Sequence, residues 1–293
     1  MIAGIELGGT KCICILGTGP DDIVEEIRIE TTTPDETLPA IEAVLDRWRD
    51  YLGLGIASFG PMSLDPASPD FGSITATTKP GWSHIGVMRR LAARSTVPVA
   101  FDTDVVGAAL GEGRWGAAQG LADFAYITVG TGVGVGLIAG GRPVVGMTHG
   151  ELGHIRTARL EGDDWPGACA FHGACVEGLA SGTAIAARTG TAAAHLPADH
   201  PAWNAVVDAL AQLLHTLVMT GVPRRIIMGG GVITGMPFLL PRLRAALETS
   251  LGGYASTPEL ADLTQYVVPA ALGNRAGPLG AIELGARAIS AAR

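Results

Sequence analysis

The chain has 293 residues, 47% apolar and 16% charged, a balance that excludes a disordered segment and gives enough material for two domains with substantial cores. A net charge of −8 offers no general attraction to nucleic acid or to an anionic membrane surface. The longest uncharged run, residues 124–141, is 18 residues long, but its six glycines and two threonines make it strand–turn–strand material rather than a membrane helix. The N-terminal MIAGIELGGTK lacks a basic flank, an apolar core and a cleavage site, so no signal peptide is expected. Cys12 and Cys14 alternate along a predicted strand and the other two cysteines fall in a metal-like pattern, which points to a reducing, cytoplasmic location.

In chain order, IAGIEL and KCICIL, residues 2–16, predict two strands joined by a glycine turn. Residues 35–52 predict a helix with Leu38, Ile41, Leu45, Trp48 and Leu52 on one side. A buried strand follows at 54–60, then a short helix at 86–95, the strand PVAFD, and a tightly packed helix over 105–113. The 124–140 hairpin comes next, then helical segments around 176–189 and a long helix over 203–221 that ends at a glycine. RRIIMGGG is a strand, residues 237–251 a helix, and GPLGAIELGARAIS a closing helix. GIELGGT and YITVGTGVG are alike: each is an apolar strand running through a glycine–threonine turn into another apolar strand, which suggests two similar α/β lobes facing each other across a cleft.

Glycine turns between strands let backbone N–H groups approach phosphate oxygens, because no β-carbon intervenes. Gly8, Gly9, Thr10 and Lys11 form one such turn; Gly130, Thr131, Gly132 and Gly134 form another; Gly229, Gly230 and Gly231 form a third. None is a Walker loop or a dinucleotide fingerprint, and any one alone reads as a plain hairpin turn. Three together, each closing an apolar strand, favour nucleotide binding. In FDTDVVGAALGEG, Asp104 lies at a strand-to-helix junction, where a carboxylate can serve as the base for phosphoryl transfer; the competing reading is that Asp102 or Asp104 caps the helix.

The segment 151–177 holds His154, Cys169, His172 and Cys175, with Glu151 and Glu177 at its ends. Two thiols and two imidazoles at this spacing, in a loop broken by Pro166, Gly167 and Gly173, point to tetrahedral zinc rather than to ordinary buried cysteines with incidental histidines. Four protein ligands leave no open position, so the zinc is expected to be structural.

The set GGTK, ASFGP, DTDVVGAALGE, TVGTGVGVG, GELGH, CAFHGACVE and MGGG, in this order, resembles the ROK family of sugar kinases over essentially the whole chain, and within it the bacterial fructokinase branch. Glu6 in place of the usual aspartate and the C-x2-H-x2-C loop carry the narrowing. The resemblance implies an α/β, actin-like ATPase (ribonuclease H-like) fold with two lobes flanking an active-site cleft: residues 1–115, joined by the C-terminal helix 280–293, and residues 116–279 with the zinc loop. It implies that Asp104 is the catalytic base, that Glu151, His154 and Glu177 contact sugar hydroxyls, with Thr103 beside them, and that His154 also ligates zinc through its other nitrogen. It places Gly8, Gly9, Thr10, Lys11, Thr131 and Gly132 on ATP phosphates, Gly230 and Gly231 on the adenosine side, and Mg²⁺ with the ATP. A homodimer, with no nucleic-acid or membrane partner, is implied as well. Val106 departs from the Asn common two positions after the catalytic aspartate. The expected reaction is transfer from ATP to a hexose, D-fructose first, with mannose or glucose, or a catalytically silent sugar binder, as alternatives. ROK repressors carry a winged helix before the first glycine turn, and only three residues precede Gly4 here.

Overall fold

The structure is a computed structural model that describes residues 1–254 and 256–293. In chain order it runs β1 (Ile2–Leu7), β2 (Lys11–Gly19), β3 (Asp22–Glu30), α1 (Pro34–Arg47), β4 (Leu54–Ser58), α2 (Val87–Ala92), β5 (Val99–Thr103) and α3 (Asp104–Trp115). It continues with β6 (Phe124–Val129), β7 (Val133–Ala139), β8 (Arg142–Pro143), α4 (Val176–Ala180), α5 (Gly182–Thr189) and α6 (Ala202–Thr220). The last elements are β9 (Ile226–Gly229), α7 (Gly231–Gly235), α8 (Leu239–Leu251), α9 (Leu263–Tyr266), β10 (Val267–Pro269) and α10 (Ala276–Ala291). Two compact units form: Met1–Gly120, Pro143–Gly150 and Asn274–Arg293 make one, Leu121–Arg142 and Glu151–Gly273 the other.

The first unit holds a sheet in the order β3-β2-β1-β4-β5, the second a sheet in the order β8-β7-β6-β9-β10. Both start from an antiparallel hairpin, β1–β2 or β6–β7, whose first strand then pairs in parallel with β4 or β9. The likeness of GIELGGT and YITVGTGVG therefore extends to the topology of whole sheets. The elements expected from sequence are present, some of them shortened: the strand over 54–60 ends at Ser58, the helix over 86–95 spans only Val87–Ala92, and the helix over 35–52 stops at Arg47. Trp48 turns extended, Asp50 takes a φ of 59°, and Leu52 ends up exposed, its N–H bonded to the Met1 carbonyl. The sequence pattern passed over β3, an edge strand whose side chains alternate between exposed and half-buried, and β10, only three residues long.

In the first unit a glycine seam lets α10 lie directly on α3 and β4. A β-carbon on Gly280 would overlap the Gly107 carbonyl, and one on Gly55 would overlap the Ala281 carbonyl. The second unit is built around α6, whose Trp203, Leu210, Leu213, Leu214 and Leu217 are fully buried against the sheet and α8. By length and composition α6 could cross a membrane; here 67% of its apolar window lies inside the protein core.

One charged side chain enters the α10 contact. Glu6, near the end of β1, reaches under the first turn of α10, where a β-carbon on Gly277 would collide with its carboxyl group. Its Oε2 is buried with no hydrogen-bond partner among the described residues. Burial, with the negative charges of Asp104 and Glu26 adding to it and Lys11 opposing, pushes Glu6 from its ordinary 4.5 up to about 7. Between those values the folded protein binds more protons than the unfolded chain, so stability falls as pH rises through the window. Glu6→Gln is expected to sit close to wild type near pH 5 and to exceed it near pH 8, the gap widening by about 2–3 kcal/mol. Urea denaturation at the two pH values checks this; a difference independent of pH would contradict it.

Candidate functional site

In the first unit the strand register fixes where the sequence-predicted residues lie. Leu7 of β1 pairs with Ser58 of β4, and Ser58 with Thr103 of β5, all three strands running parallel. The turn Gly8–Lys11 and Asp104 therefore leave the same edge of the sheet, two strands and about 10 Å apart. That edge, outside the carboxyl ends of parallel strands, is where open α/β sheets place ligands.

The helix cap that the competing reading gives to Asp102 or Asp104 belongs to Thr103, whose Oγ1 accepts the Val106 N–H at 3.1 Å. Thr103 is thus buried and engaged with the backbone, and Val106 is buried beside it. Asp104 is the first residue of α3, where the helix dipole favours a carboxylate; its Oδ1 accepts the Val105 N–H at 2.9 Å. Asp102 faces the interior, with Oδ1 accepting the Thr103 N–H at 2.7 Å. Burial pushes Asp102 up to about 6, partly offset by the Thr103 N–H and by His149. His149 in turn accepts the Met62 N–H on Nε2 at 3.0 Å, and burial holds its pKa below the ordinary value. This link spans 87 residues and has no local sequence signal.

In the second unit, the turns holding Thr131, Gly132, Gly230 and Gly231 come together. Gly230 takes a φ of +86°, and a β-carbon there would collide with Val129, the last residue of β6. Glu177, in the first turn of α4, reaches the 130–133 turn: Oε2 accepts the Val133 N–H at 3.1 Å, and a β-carbon on Gly132 would come 2.6 Å from it. Gly153, in the one-turn 3-10 helix Leu152–His154, has no room for a side chain against the Val133 carbonyl. The GELGH turn, the start of α4 and the second glycine turn are thereby held as one block.

Three glycines in these turns are not explained by the protein's own packing. Gly9, Gly130 and Gly231 lack a left-handed φ, and a β-carbon on any of them would find open space within 4 Å. One sits in each of the three turns. Open ground beside the backbone is what a phosphate or ribose needs to come close.

His154, Cys169, His172 and Cys175 bring one donor atom each to within 4.8 Å of one another. His154 Nδ1 lies 3.5 Å from both sulfurs, and His172 Nδ1 lies 3.7 Å from Cys169 Sγ. Bonds of about 2.0–2.3 Å to a tetrahedral zinc set its donors about 3.3–3.8 Å apart; these three separations fall in that range, and the set is compatible with the ion in type. His154 Nε2 is turned the other way, 3.9 Å from Glu177 Oε1. Glu151 is held above the ordinary carboxylate range by burial and the nearby Glu177 charge, with His154 opposing.

The family model for the ROK family matches residues 2–288. A fructokinase of Pediococcus pentosaceus is 39% identical over 295 residues, covering 99% of both chains. A fructokinase of Zymomonas mobilis is 40% identical over 290 residues, covering 96% of this chain and 94% of the other. Among solved structures, a ROK hexokinase from Thermus thermophilus superposes with a TM-score of 0.78 at 25% identity over 99% of each chain. A ROK glucokinase from Streptomyces griseus, solved with glucose and AMPPNP, gives 0.74 at 24% identity over 98% of this chain and 99% of the other. These structures have the actin-like ATPase fold, and the two matching sheets described above are its repeated core. The chain belongs to the ROK family.

Proposed function

We propose that the protein is an ATP-dependent hexose kinase that phosphorylates D-fructose on its 6-hydroxyl. The observation that carries this reading is the near full-length likeness to fructokinases at 39 and 40% identity. The site chemistry supports it. Asp104, relieved of capping by Thr103, takes the proton of the sugar hydroxyl as that oxygen bonds to the γ-phosphorus and the bond to the ADP oxygen breaks. Glu151, Glu177 and His154 Nε2 supply acceptors and a donor suited to neighbouring sugar hydroxyls. The N–H groups of the glycine turns take the phosphates, and Mg²⁺, arriving with ATP, offsets charge on the transferred group.

Zinc belongs to this reading as scaffolding. Bound by His154 Nδ1, Cys169, His172 and Cys175, it would fix the His154 ring with Nε2 toward the sugar and set the approach of the chain to Glu177. All four cysteines of the chain are free, which suits a reducing cytoplasm.

Asp104→Asn is expected to leave fructose affinity within a few-fold of wild type while kcat falls by about 10²–10⁴; retained turnover would remove Asp104 from the mechanism. ADP release measured with fructose, mannose, glucose and N-acetylmannosamine should give the highest kcat/KM for fructose. Activity on none of them would favour a sugar binder without catalysis. Metal analysis of the purified protein should find one zinc per chain. Cys175→Ser, which alters a fully buried ligand, should lower both the zinc content and the melting temperature.

A further inference from the structure

The first glycine turn is held by a lysine 70 residues away in sequence. Lys79 Nζ donates to the Gly9 carbonyl at 2.7 Å and to the Thr31 carbonyl at 3.1 Å, and among the described residues it has no carboxylate partner. An ammonium placed on two carbonyls with no counter-charge is an unusual use of a lysine, which more often lies solvated on the surface. Its loop is firmly seated. Trp82 is fully buried, donates its indole N–H to the Thr32 carbonyl at 2.8 Å and packs edge-on to Phe59, with ring centres 5.3 Å apart. The Trp82 N–H closes back onto the Lys79 carbonyl at 3.2 Å.

The neighbouring carbonyls of the turn are also engaged. Gly8 O accepts the Thr31 hydroxyl at 2.8 Å, and Thr10 O accepts the Thr31 N–H at 3.1 Å. In a planar trans peptide the C=O and the following N–H point in opposite directions. Securing the carbonyls of Gly8 and Gly9 therefore turns the N–H groups of Gly9 and Thr10 away from Thr31 and Lys79. Those two N–H groups meet no backbone carbonyl among the described residues, and the ground beside Gly9 is open.

We propose that Lys79 is a positioning residue for ATP: by holding the Gly9 carbonyl it aims the Thr10 N–H at the phosphate chain. This rests on the kinase reading above. The binding partner it implies is the polyphosphate part of the nucleotide, not the base and not the sugar substrate. Without the ammonium, the Gly9–Thr10 peptide is free to flip, and its donor no longer faces the phosphate.

The test is calorimetric titration of Lys79→Met and Lys79→Gln with Mg-ATP, AMP and fructose, alongside steady-state kinetics and thermal melts. The expected result is an ATP affinity lower by about ten- to hundredfold, AMP and fructose binding within twofold of wild type, and an unchanged melting temperature. Lys79→Arg, which can still donate to both carbonyls, should recover most of the loss. ATP binding within twofold of wild type in both variants would overturn the proposal. So would equal losses for ATP, AMP and fructose with a lowered melting temperature, which is the signature of general loosening. If Lys79→Met does not fold, Lys79→Gln, whose side chain ends one bond short of the Nζ position and carries no charge, decides the matter. Failure of the wild-type protein to bind ATP or to phosphorylate any sugar would instead count against the kinase reading itself.

Discussion

A peptide group cannot turn its carbonyl one way without turning its N–H the other. The two hairpin turns of this protein are governed by that constraint. In the first, Thr31 and Lys79 occupy the carbonyls of Gly8, Gly9 and Thr10. In the second, the Gly182 N–H and the Thr183 hydroxyl occupy the carbonyls of Gly130 and Thr131, at 2.7 and 2.8 Å. Each turn thus has one face saturated by the protein and the other left as a row of donors. A glycine-rich sequence makes such a face sterically accessible, but the residues behind it set its orientation. Both turns rely on a threonine hydroxyl, drawn from the β3–α1 connection in one case and from α5 in the other.

Glycine does two different jobs in the chain. Along α10 and α3, Gly107, Gly111, Gly277 and Gly280 are filled in by neighbours: a side chain would strike the Ala57 methyl at Gly107, backbone at Gly111 and Gly280, and the Glu6 carboxyl at Gly277. That closeness brings the first turn of α10 down onto Glu6. At Gly9, Gly130 and Gly231 the surroundings are empty. The first set builds the scaffold and the second leaves room for something that is not protein. Composition alone, with 42 glycines, cannot separate the two.

What could be read from the sequence follows how local each signal was. The hairpins, the helix that α6 forms and the cluster of His154, Cys169, His172 and Cys175 lie within short stretches whose pattern states their arrangement. The order of the glycine turns and the GELGH motif carried the family. The end of α1 was misplaced because apolar spacing continued through Trp48 to Leu52, while the backbone had already turned extended at Trp48. The capping role went to Thr103 rather than to a neighbouring aspartate, a choice among three adjacent polar residues that spacing does not settle. Lys79 on Gly9 and His149 on Met62 were invisible, since they join residues 70 and 87 apart and neither sits in a motif of its own.

On the reading proposed above, the 151–177 loop would let a metal site and a ligand site share side chains without competing. An imidazole offers two nitrogens on opposite edges, and in His154 Nδ1 faces the thiols while Nε2 faces Glu177. Occupation of Nδ1 by a metal would make Nε2 carry the proton, fixing it as a donor. Glu177 divides in the same way: Oε2 is engaged with the Val133 N–H of the second glycine turn, and Oε1 lies toward His154. A charge on Glu177 is therefore felt both by the turn that the nucleotide reading uses and by the histidine that the sugar reading uses. Replacing Glu177 by Gln would keep its shape but reverse a donor and an acceptor, so its effect on the two ligands separates the turn-holding oxygen from the one beside His154.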